Sequence, residues 1–259
     1  MSTTQEKKRS PLALLGHQIK YEQLSFWRNP QSAGFTFVFP IVLFVIFGLV
    51  FGNTPDDNSY DNLSPLQYYT STIAAFSIMG ACYSQLAIGL AFRRQQGILK
   101  RLRATPLSAG TYFGGLVVHC IIVSVIEVAT IIVMSAIYGV DLPSRWAEIA
   151  LILIVGGAAF CSLGVAVASL IKNAEAAPAV VQFVFFPLVF ISGTYFSVTS
   201  GTLNTLADIF PVRPFNRLML RAFALDQGLD WRYLLTLVAW GVAGGIVAVW
   251  RFRWDPRPE

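Results

Sequence analysis

Long apolar runs separated by short polar segments dominate this chain. A helix needs roughly 20 apolar residues to cross a hydrocarbon core of ~30 Å. Six runs come close to or exceed that length, at about residues 33–51, 68–92, 112–138, 149–171, 178–196 and 233–250. We therefore predict an all-α integral membrane protein with six transmembrane helices. Pro40 and Pro187 lie inside the first and fifth runs and predict irregular helices there.

A strongly basic segment, residues 93–105, joins the second and third runs. Ile98, Leu99 and Leu102 recur in it at three- to four-residue spacing, with Arg and Lys at the other positions. This pattern predicts a short amphipathic helix, which ends before Pro106. A helix of this kind lies where the membrane-embedded part of a protein meets water.

Two further amphipathic segments complete the organisation of the chain. Residues 12–28 alternate apolar and charged positions with a helical period, which predicts a helix along the membrane face. Residues 197–231 are too polar to cross the membrane but carry arginines at four-residue spacing, which predicts an interfacial helix before the last run. We divide the chain into an N-terminal arm (1–30), a six-span transmembrane domain (31–251) and a tail (252–259).

Composition and charge agree with a membrane location. The chain is 55% hydrophobic and only 13% charged, and its mean hydropathy is +0.59, which is too apolar for a soluble domain. With six spans, fourteen of the 19 Lys and Arg residues lie on the side of the two termini. The positive-inside rule then predicts cytoplasmic termini, a cytoplasmic basic segment and an extracytoplasmic interfacial helix. Because the cations cluster at the ends of apolar runs, no nucleic-acid partner is predicted.

The sequence contains few candidates for enzymatic chemistry. None of its lysines follows a glycine, so the phosphate-binding Walker A motif is missing. The chain has two histidines, and its three cysteines lie inside apolar runs, so neither a metal site nor a disulfide framework is indicated. We predict no catalytic residue, metal or cofactor for this chain. If ATP drives the protein, hydrolysis occurs on another polypeptide.

Glu127 is the one carboxylate deep inside an apolar run, with Ser124 and Thr130 about one helical turn to either side. An ionisable group at that depth costs at least ~2.5 kcal/mol on insertion scales, so it usually faces a cavity or a partner. One interpretation is a polar element of a substrate or coupling path. The other is a protonated carboxyl that hydrogen-bonds to a neighbouring helix. Gln85 in the second run raises the same question, and there structural hydrogen bonding is favoured.

Small residues predict where helices meet. Ala158, Ser162 and Ala166 recur at four-residue spacing in the fourth run, and Gly241 and Gly245 form a GxxxG pair in the last. Faces of this kind let helix backbones approach closely in lipid.

Three motifs in order carry a family resemblance. They are FRRQQGILKRLRATPLS at 92–108, FPLVFISG at 186–193, and the Pro-led amphipathic segment from Phe210 to Arg221. Together they resemble the membrane subunits of type 2 ABC transporters, the group that includes daunorubicin-resistance permeases. The basic segment departs from the family pattern in two ways, with glutamines where Glu is frequent and Lys100 in place of a common acidic residue.

The resemblance implies a six-span permease of the bacterial plasma (inner) membrane, pairing with a second permease copy and with a separate ABC nucleotide-binding subunit that binds ATP and Mg. It implies export of a hydrophobic or amphiphilic substrate such as a drug, lipid or secondary metabolite, as in multidrug efflux. The family's coupling helix, which contacts the ATPase, corresponds here to Arg94, Gln95, Gln96, Gly97, Leu99, Arg101, Leu102, Thr105 and Pro106.

In the family the first, second and fifth spans border the translocation path. An aromatic, weakly polar lining suits a hydrophobic or amphiphilic substrate better than a sugar or an ion. The path residues predicted on this basis are Phe39, Ser84, Gln85, Phe186, Phe190, Ser192 and Tyr195, and Glu127 in the third run is added to them as the carboxylate deep inside a span.

Three alternatives remain open at this point. The basic segment could anchor a loop to anionic lipid. The chain could be a carrier or membrane enzyme that uses Glu127, although no Asp, Lys or Arg lies at a similar depth. It could also be a membrane anchor that transports nothing.

Overall fold

The computed structural model of this protein describes residues 10–51, 63–105, 107–192 and 207–252, and every regular element within these ranges is helical. A π-helical segment, Gly80–Gln85, joins the α-helix Pro65–Met79 to the α-helix Leu86–Gln95. The α-helices are α1 (Pro11–Trp27), α2 (Pro30–Phe51), α3 (Pro65–Met79), α4 (Leu86–Gln95), α5 (Ile98–Arg103), α6 (Ala109–Ile137), α7 (Trp146–Leu170), α8 (Ala177–Ile191), α9 (Val212–Phe223) and α10 (Trp231–Arg251).

Polar caps mark where several of these helices begin. The first backbone N–H groups of a helix have no intrahelical partner. Side chains of Ser10, Ser108 and Asp230 accept such groups at the start of α1, α6 and α10, over 3.0–3.3 Å. Ser64 and Gln67 form a reciprocal capping box at the start of α3. These caps place the helix starts within a few residues of the predicted ones.

Five helices are long and apolar enough to cross a membrane: α2, the continuous helix Pro65–Gln95, α6, α7 and α10. They confirm an all-α, multi-pass membrane protein over the described residues. The predicted fifth span, 178–196, corresponds in part to α8, an apolar helix of 15 residues. Its remaining residues from 193 onward lie outside the described ranges, so the count of six spans stays a prediction.

The helix Pro65–Gln95 forms the centre of the fold. In its most apolar stretch 78% of the residues are buried within the protein, against 17% for α2 and for α10. Tyr69, Ile73 and Met79 are almost completely enclosed, and α6, α7 and α9 pack around this helix. The outer faces of α2 and α10 are therefore left for lipid or another chain.

α7 and α10 approach each other closely through glycine, but not through the pair predicted from sequence. A β-carbon at Gly241 would lie 3.0 Å from Cβ of Ala159, and one at Gly244 would lie 3.0 Å from the backbone N of Leu163. A β-carbon at Gly245 would meet nothing within 4 Å, so Gly245 takes no part in this contact. Gly241 and Gly244 share a helix face because residues three apart are neighbours on a helix surface, as residues four apart are.

The helix predicted at the interface, α9, is enclosed by α3, α7, α8 and α10. Ten of its 12 residues are buried. The Phe215 ring lies where a side chain at Gly156 would be, since a β-carbon there would be 2.2 Å from Cε2 of Phe215. Arg213, also buried, pairs with Asp208 at 3.0 Å. The amphipathic pattern thus predicted a helix that is present, although neighbouring helices cover most of its faces, and its position at the membrane interface stays a prediction.

The N-terminal amphipathic helix, predicted at 12–28, is α1. It packs along α6, where Gly115 allows close approach, because a β-carbon there would lie 2.5 Å from Cγ of Gln18. Leu12, Tyr21, Leu24 and Trp27 remain exposed on α1. α1 is therefore attached to the helical bundle and presents an apolar edge outward, as a helix at a membrane face does.

Candidate functional site

The basic segment contains a sharp turn at Gly97. α4 ends at Gln95, and Gly97 then adopts a left-handed backbone, with φ of 69°, before α5 begins. The Gly97 N–H donates to the Arg94 carbonyl at 3.0 Å. A left-handed conformation costs residues with a β-carbon roughly 1–2 kcal/mol, and glycine avoids most of this cost. Gly97 thus separates α5 from the long central helix and sets its direction.

Two predicted coupling residues point into the protein. Leu99 is fully buried, and Arg94 is 3% exposed. The Arg94 guanidinium donates to the carbonyl of Ala168, at 2.9 Å, and to that of Ile171. Both carbonyls belong to the C-terminal end of α7, where the helix dipole favours a cation. Arg94 and Leu99 therefore hold α5 and the end of α4 against the bundle, and a partner chain cannot reach them directly.

The other predicted coupling residues form an exposed surface. Gln95, Gln96, Arg101 and Thr105 are exposed, and Leu102 is half-buried. Arg101 donates to the Gln96 carbonyl at 3.2 Å, which fixes the turn. Pro106 lies outside the described residues. The cations exposed on α5 are Lys100, Arg101 and Arg103.

A buried ion pair lies behind this surface, and the sequence did not predict it. Glu22 on α1 accepts both terminal nitrogens of Arg93, at 2.7 and 2.9 Å. Arg93 also donates to the Tyr112 hydroxyl on α6 at 3.2 Å, and Gln18 donates to Glu22 at 2.8 Å. The pair connects α1, α4 and α6 at one end of the bundle. The available signal was Glu22, the one carboxylate within the predicted helix 12–28, which also carries Lys20 and Arg28.

A cavity of about 270 Å³ opens between α2, the central helix, α6 and α8. Five of the predicted path residues line it: Phe39, Ser84, Gln85, Glu127 and Phe186. We call it the aromatic cavity. Phe190 and Ser192, although on or next to α8, are not among its lining residues. Tyr195 lies outside the described ranges.

Aromatic rings form a continuous wall along this cavity. Consecutive ring centroids from Phe35 through Phe39, Phe76 and Phe185 to Phe186 are 5.2, 6.0, 5.8 and 6.3 Å apart. Contacts at these distances are favourable between aromatic side chains. Phe35 and Phe186 at the two ends are 68% and 40% exposed, so the wall continues onto the outer surface of the chain.

Glu127 supplies the carboxyl group of the aromatic cavity. It is 3% exposed, and its Oε2 has no hydrogen-bond partner among the described residues. A hydrogen bond to a neighbouring helix, one of the two interpretations of this residue, is therefore not seen at that oxygen. By contrast, Gln85 donates to the Thr36 hydroxyl on α2, as expected of a structural residue.

A second cavity, of about 280 Å³, adjoins the first. Its lining includes Glu22, Arg93 and His119, and we call it the polar cavity. The two cavities share three lining residues, Ser32, Ala81 and Gln85. The two cavities thus lie side by side, with the polar cavity next to the ion pair and the aromatic cavity next to the aromatic wall.

Among the residues with a described position, no group of three or more His, Cys, Asp or Glu side chains has the arrangement of a metal site. The protein is thus a multi-pass helical membrane protein with an internal aromatic cavity and a basic segment anchored at one end.

Comparison with known proteins defines this class further. Residues 14–223 match the model of the ABC-2 type transporter family, and the chain belongs to that family. It is 24% identical over 221 residues to "Putative transport permease YvfS" of Bacillus subtilis (strain 168), covering 82% of this chain and 86% of that protein. The predicted resemblance is confirmed. The chain is a membrane component of an ABC transporter, a permease subunit rather than the catalytic one, and its family implies association with an ABC nucleotide-binding subunit.

Proposed function

We propose that this chain is the permease subunit of an ATP-driven exporter that moves a hydrophobic or amphiphilic substrate out of the cell. The aromatic cavity is the observation that carries this proposal. Its walls come from α2, the central helix, α6 and α8, and thus include the first, second and fifth predicted spans. A cavity with apolar walls and a few convergent polar groups is the usual form of a small-molecule site.

The basic segment provides a mechanism for coupling. ATP and Mg bind to the partner subunit, and closure of that subunit presses on α5. Arg94 transmits the displacement to α7, and the Glu22–Arg93 pair transmits it to α1 and α6. Both contacts are short and largely buried, so these helix ends move as a unit. ATP then drives transport because its binding energy differs between the two conformations of the permease.

A second permease copy completes the transport path in this proposal. The outer faces of α2 and α8 are strongly apolar, with Phe35, Phe183 and Phe190 being 68%, 81% and 51% exposed. Because the aromatic wall reaches this surface, pairing of two copies along α2 and α8 would enclose it. The chain resides in the bacterial plasma membrane with its N- and C-termini in the cytoplasm, on the same side as the basic segment.

ATP-dependent transport tests the proposal directly. The permease and its nucleotide-binding subunit are reconstituted into inside-out vesicles, and ATP-driven removal of Hoechst 33342 from the bilayer is followed by fluorescence. We expect the triple variant Lys100→Glu/Arg101→Glu/Arg103→Glu to lose both co-purification with the ATPase and ATP-driven removal of the dye. Arg251→Glu, the same change at the exposed end of α10, is the control and should retain both.

Two results would overturn the proposal. One is removal of the dye that does not depend on ATP in the wild-type complex. The other is full ATP-driven removal by the triple variant, which would separate α5 from coupling.

A further inference from the structure

Some polar residues that line the aromatic cavity are paired within the protein, as Thr36, Ser77 and Gln85 are, and others are not. Three oxygen atoms of lining residues are buried and have no hydrogen-bond partner among the described residues: Oε2 of Glu127, Oε1 of Gln182 and Oγ of Ser84. Buried polar atoms are normally hydrogen-bonded, and each exception calls for an explanation. The amide oxygen and an ionised carboxylate only accept hydrogen bonds, and the Ser84 hydroxyl can accept one as well as donate one. Their natural complement is a ligand that donates hydrogen bonds or carries positive charge.

The aromatic wall has the same preference. The face of an aromatic ring attracts a cation, and quaternary ammonium groups are recognised by several such rings together. Phe39, Phe76 and Phe185 follow one another along the wall with centroids about 6 Å apart, and Glu127 lines the same cavity. The wall can therefore contact an ammonium group while the carboxyl supplies its counter-charge.

Among the residues with a described position, no other charged side chain lines the aromatic cavity. The described lining residues include no Lys, Arg or His, and Glu127 is their one carboxylate. An anionic or phosphate-bearing group would therefore find no cationic partner in the cavity. The described lining thus distinguishes a singly positive amphiphile from a neutral or negative one.

From these observations we infer that the aromatic cavity binds the ammonium group of an amphiphilic amine, with Glu127 as its charge partner and the phenyl rings around its apolar part. This inference names the substrate class for the exporter proposed above and rests on that proposal. An aminolipid carries the same ammonium group, but its phosphate would lie unpaired in this cavity. We therefore assign the site to a free amine.

A matched pair of probes tests the charge preference. Benzyltrimethylammonium and its neutral carbon analogue neopentylbenzene have the same shape and differ in one atom and one charge. Equilibrium binding of the two labelled probes is measured with the permease–ATPase complex in nanodiscs of phosphatidylglycerol, with empty nanodiscs subtracted. We expect the cation to bind about tenfold more tightly than the neutral analogue, as one desolvated charge contact implies.

The variant Glu127→Gln keeps the shape of the side chain and removes its charge. We expect it to weaken binding of the cation about tenfold and to leave the neutral analogue unchanged. Glu148→Gln, the same substitution at a carboxylate beside Arg145 and away from the cavity, should change neither. Equal binding of both probes to the wild type, or unchanged cation binding in Glu127→Gln, would overturn the inference.

A second binding experiment varies the lipid, in order to distinguish a free amine from an aminolipid as the source of the ammonium group. Nanodiscs that contain phosphatidylethanolamine should bind the cation as well as those without it if the ligand is a free amine. Competition by this lipid would overturn the assignment to a free amine. A cation preference without ATP-driven transport would contradict the proposed exporter alone, whereas transport without a cation preference would contradict this inference alone.

Discussion

The Glu22–Arg93 pair allows a quantitative prediction. Both carboxylate oxygens accept a guanidinium nitrogen, at 2.7 and 2.9 Å, and the two side chains are 7% and 28% exposed. Breaking a fully buried pair by removing one partner costs about 3–5 kcal/mol, because the remaining charge is left uncompensated. Arg93 keeps Tyr112 as a partner and some contact with solvent. We therefore expect Glu22→Gln to lower the free energy of unfolding by about 2 kcal/mol.

A double-mutant cycle isolates this interaction. Glu22→Gln, Arg93→Gln and the double variant are unfolded by increasing SDS in mixed micelles, and their unfolding free energies are compared. We expect an interaction energy of roughly 1–2 kcal/mol, since two residues in direct contact do not act additively. Arg145→Gln removes a cation from an exposed ion pair and should cause no measurable change. If the losses of unfolding free energy in Glu22→Gln and Arg93→Gln add within ~0.5 kcal/mol in the double variant, the pair does not hold α1, α4 and α6 together.

Three further predictions concern the turn, the buried helix and the opposite end of the bundle. Proline at position 97 can neither adopt a φ of 69° nor donate a backbone N–H, so Gly97→Pro should abolish ATP-driven transport. Asparagine tolerates this backbone conformation, so Gly97→Asn should retain transport. Gly156→Ala would place a β-carbon 2.2 Å from Phe215 and should cost about 1–3 kcal/mol of stability by SDS unfolding, whereas Gly157→Ala, with 3.4 Å available, should be well tolerated. The Ser144 hydroxyl and Arg145 lower the pKa of Asp226 below the usual 3.8, so this contact stabilises the loop above that pH and is lost as pH falls through the lowered pKa. Hydrogen exchange at residues 140–146, corrected for its intrinsic rate, should therefore rise in the wild type below about pH 3.8. The variant Asp226→Asn should remove that pH dependence.

Several features of the site were accessible from sequence because each depends on one segment alone. The basic segment alternates cations and leucines with a helical period, and the structure contains α5 there with Leu99 buried. Glu127 stood out as a carboxylate inside an apolar run, and it lines the aromatic cavity. Phe39 and Phe186 were predicted from their helices and also line that cavity. Phe190 and Ser192 do not, because hydropathy does not show which face of a helix its neighbours cover.

The features that the sequence did not reveal are contacts between distant segments. Glu22 and Arg93 are 71 positions apart, and Arg94 reaches carbonyls more than 70 positions away. Lys, Arg and Glu near the end of a span satisfy the topology rules whether they are paired or solvated. Only the relative rotation of α1, α4 and α7 decides which of them meet. The enclosure of α9 follows in the same way from helices packed around it.

The apolar runs of the sequence are enough to predict that the chain enters the membrane as helices and approximately where each helix lies. In lipid every backbone polar group must be satisfied internally, so a run of about 20 apolar residues has essentially one structure available to it. The family is also recognisable from motifs that single segments carry. The packing of the helices, in contrast, fixes which side chains share a cavity and which charges are paired. Those choices depend on how helices rotate and cross, and packing across the whole bundle sets that geometry.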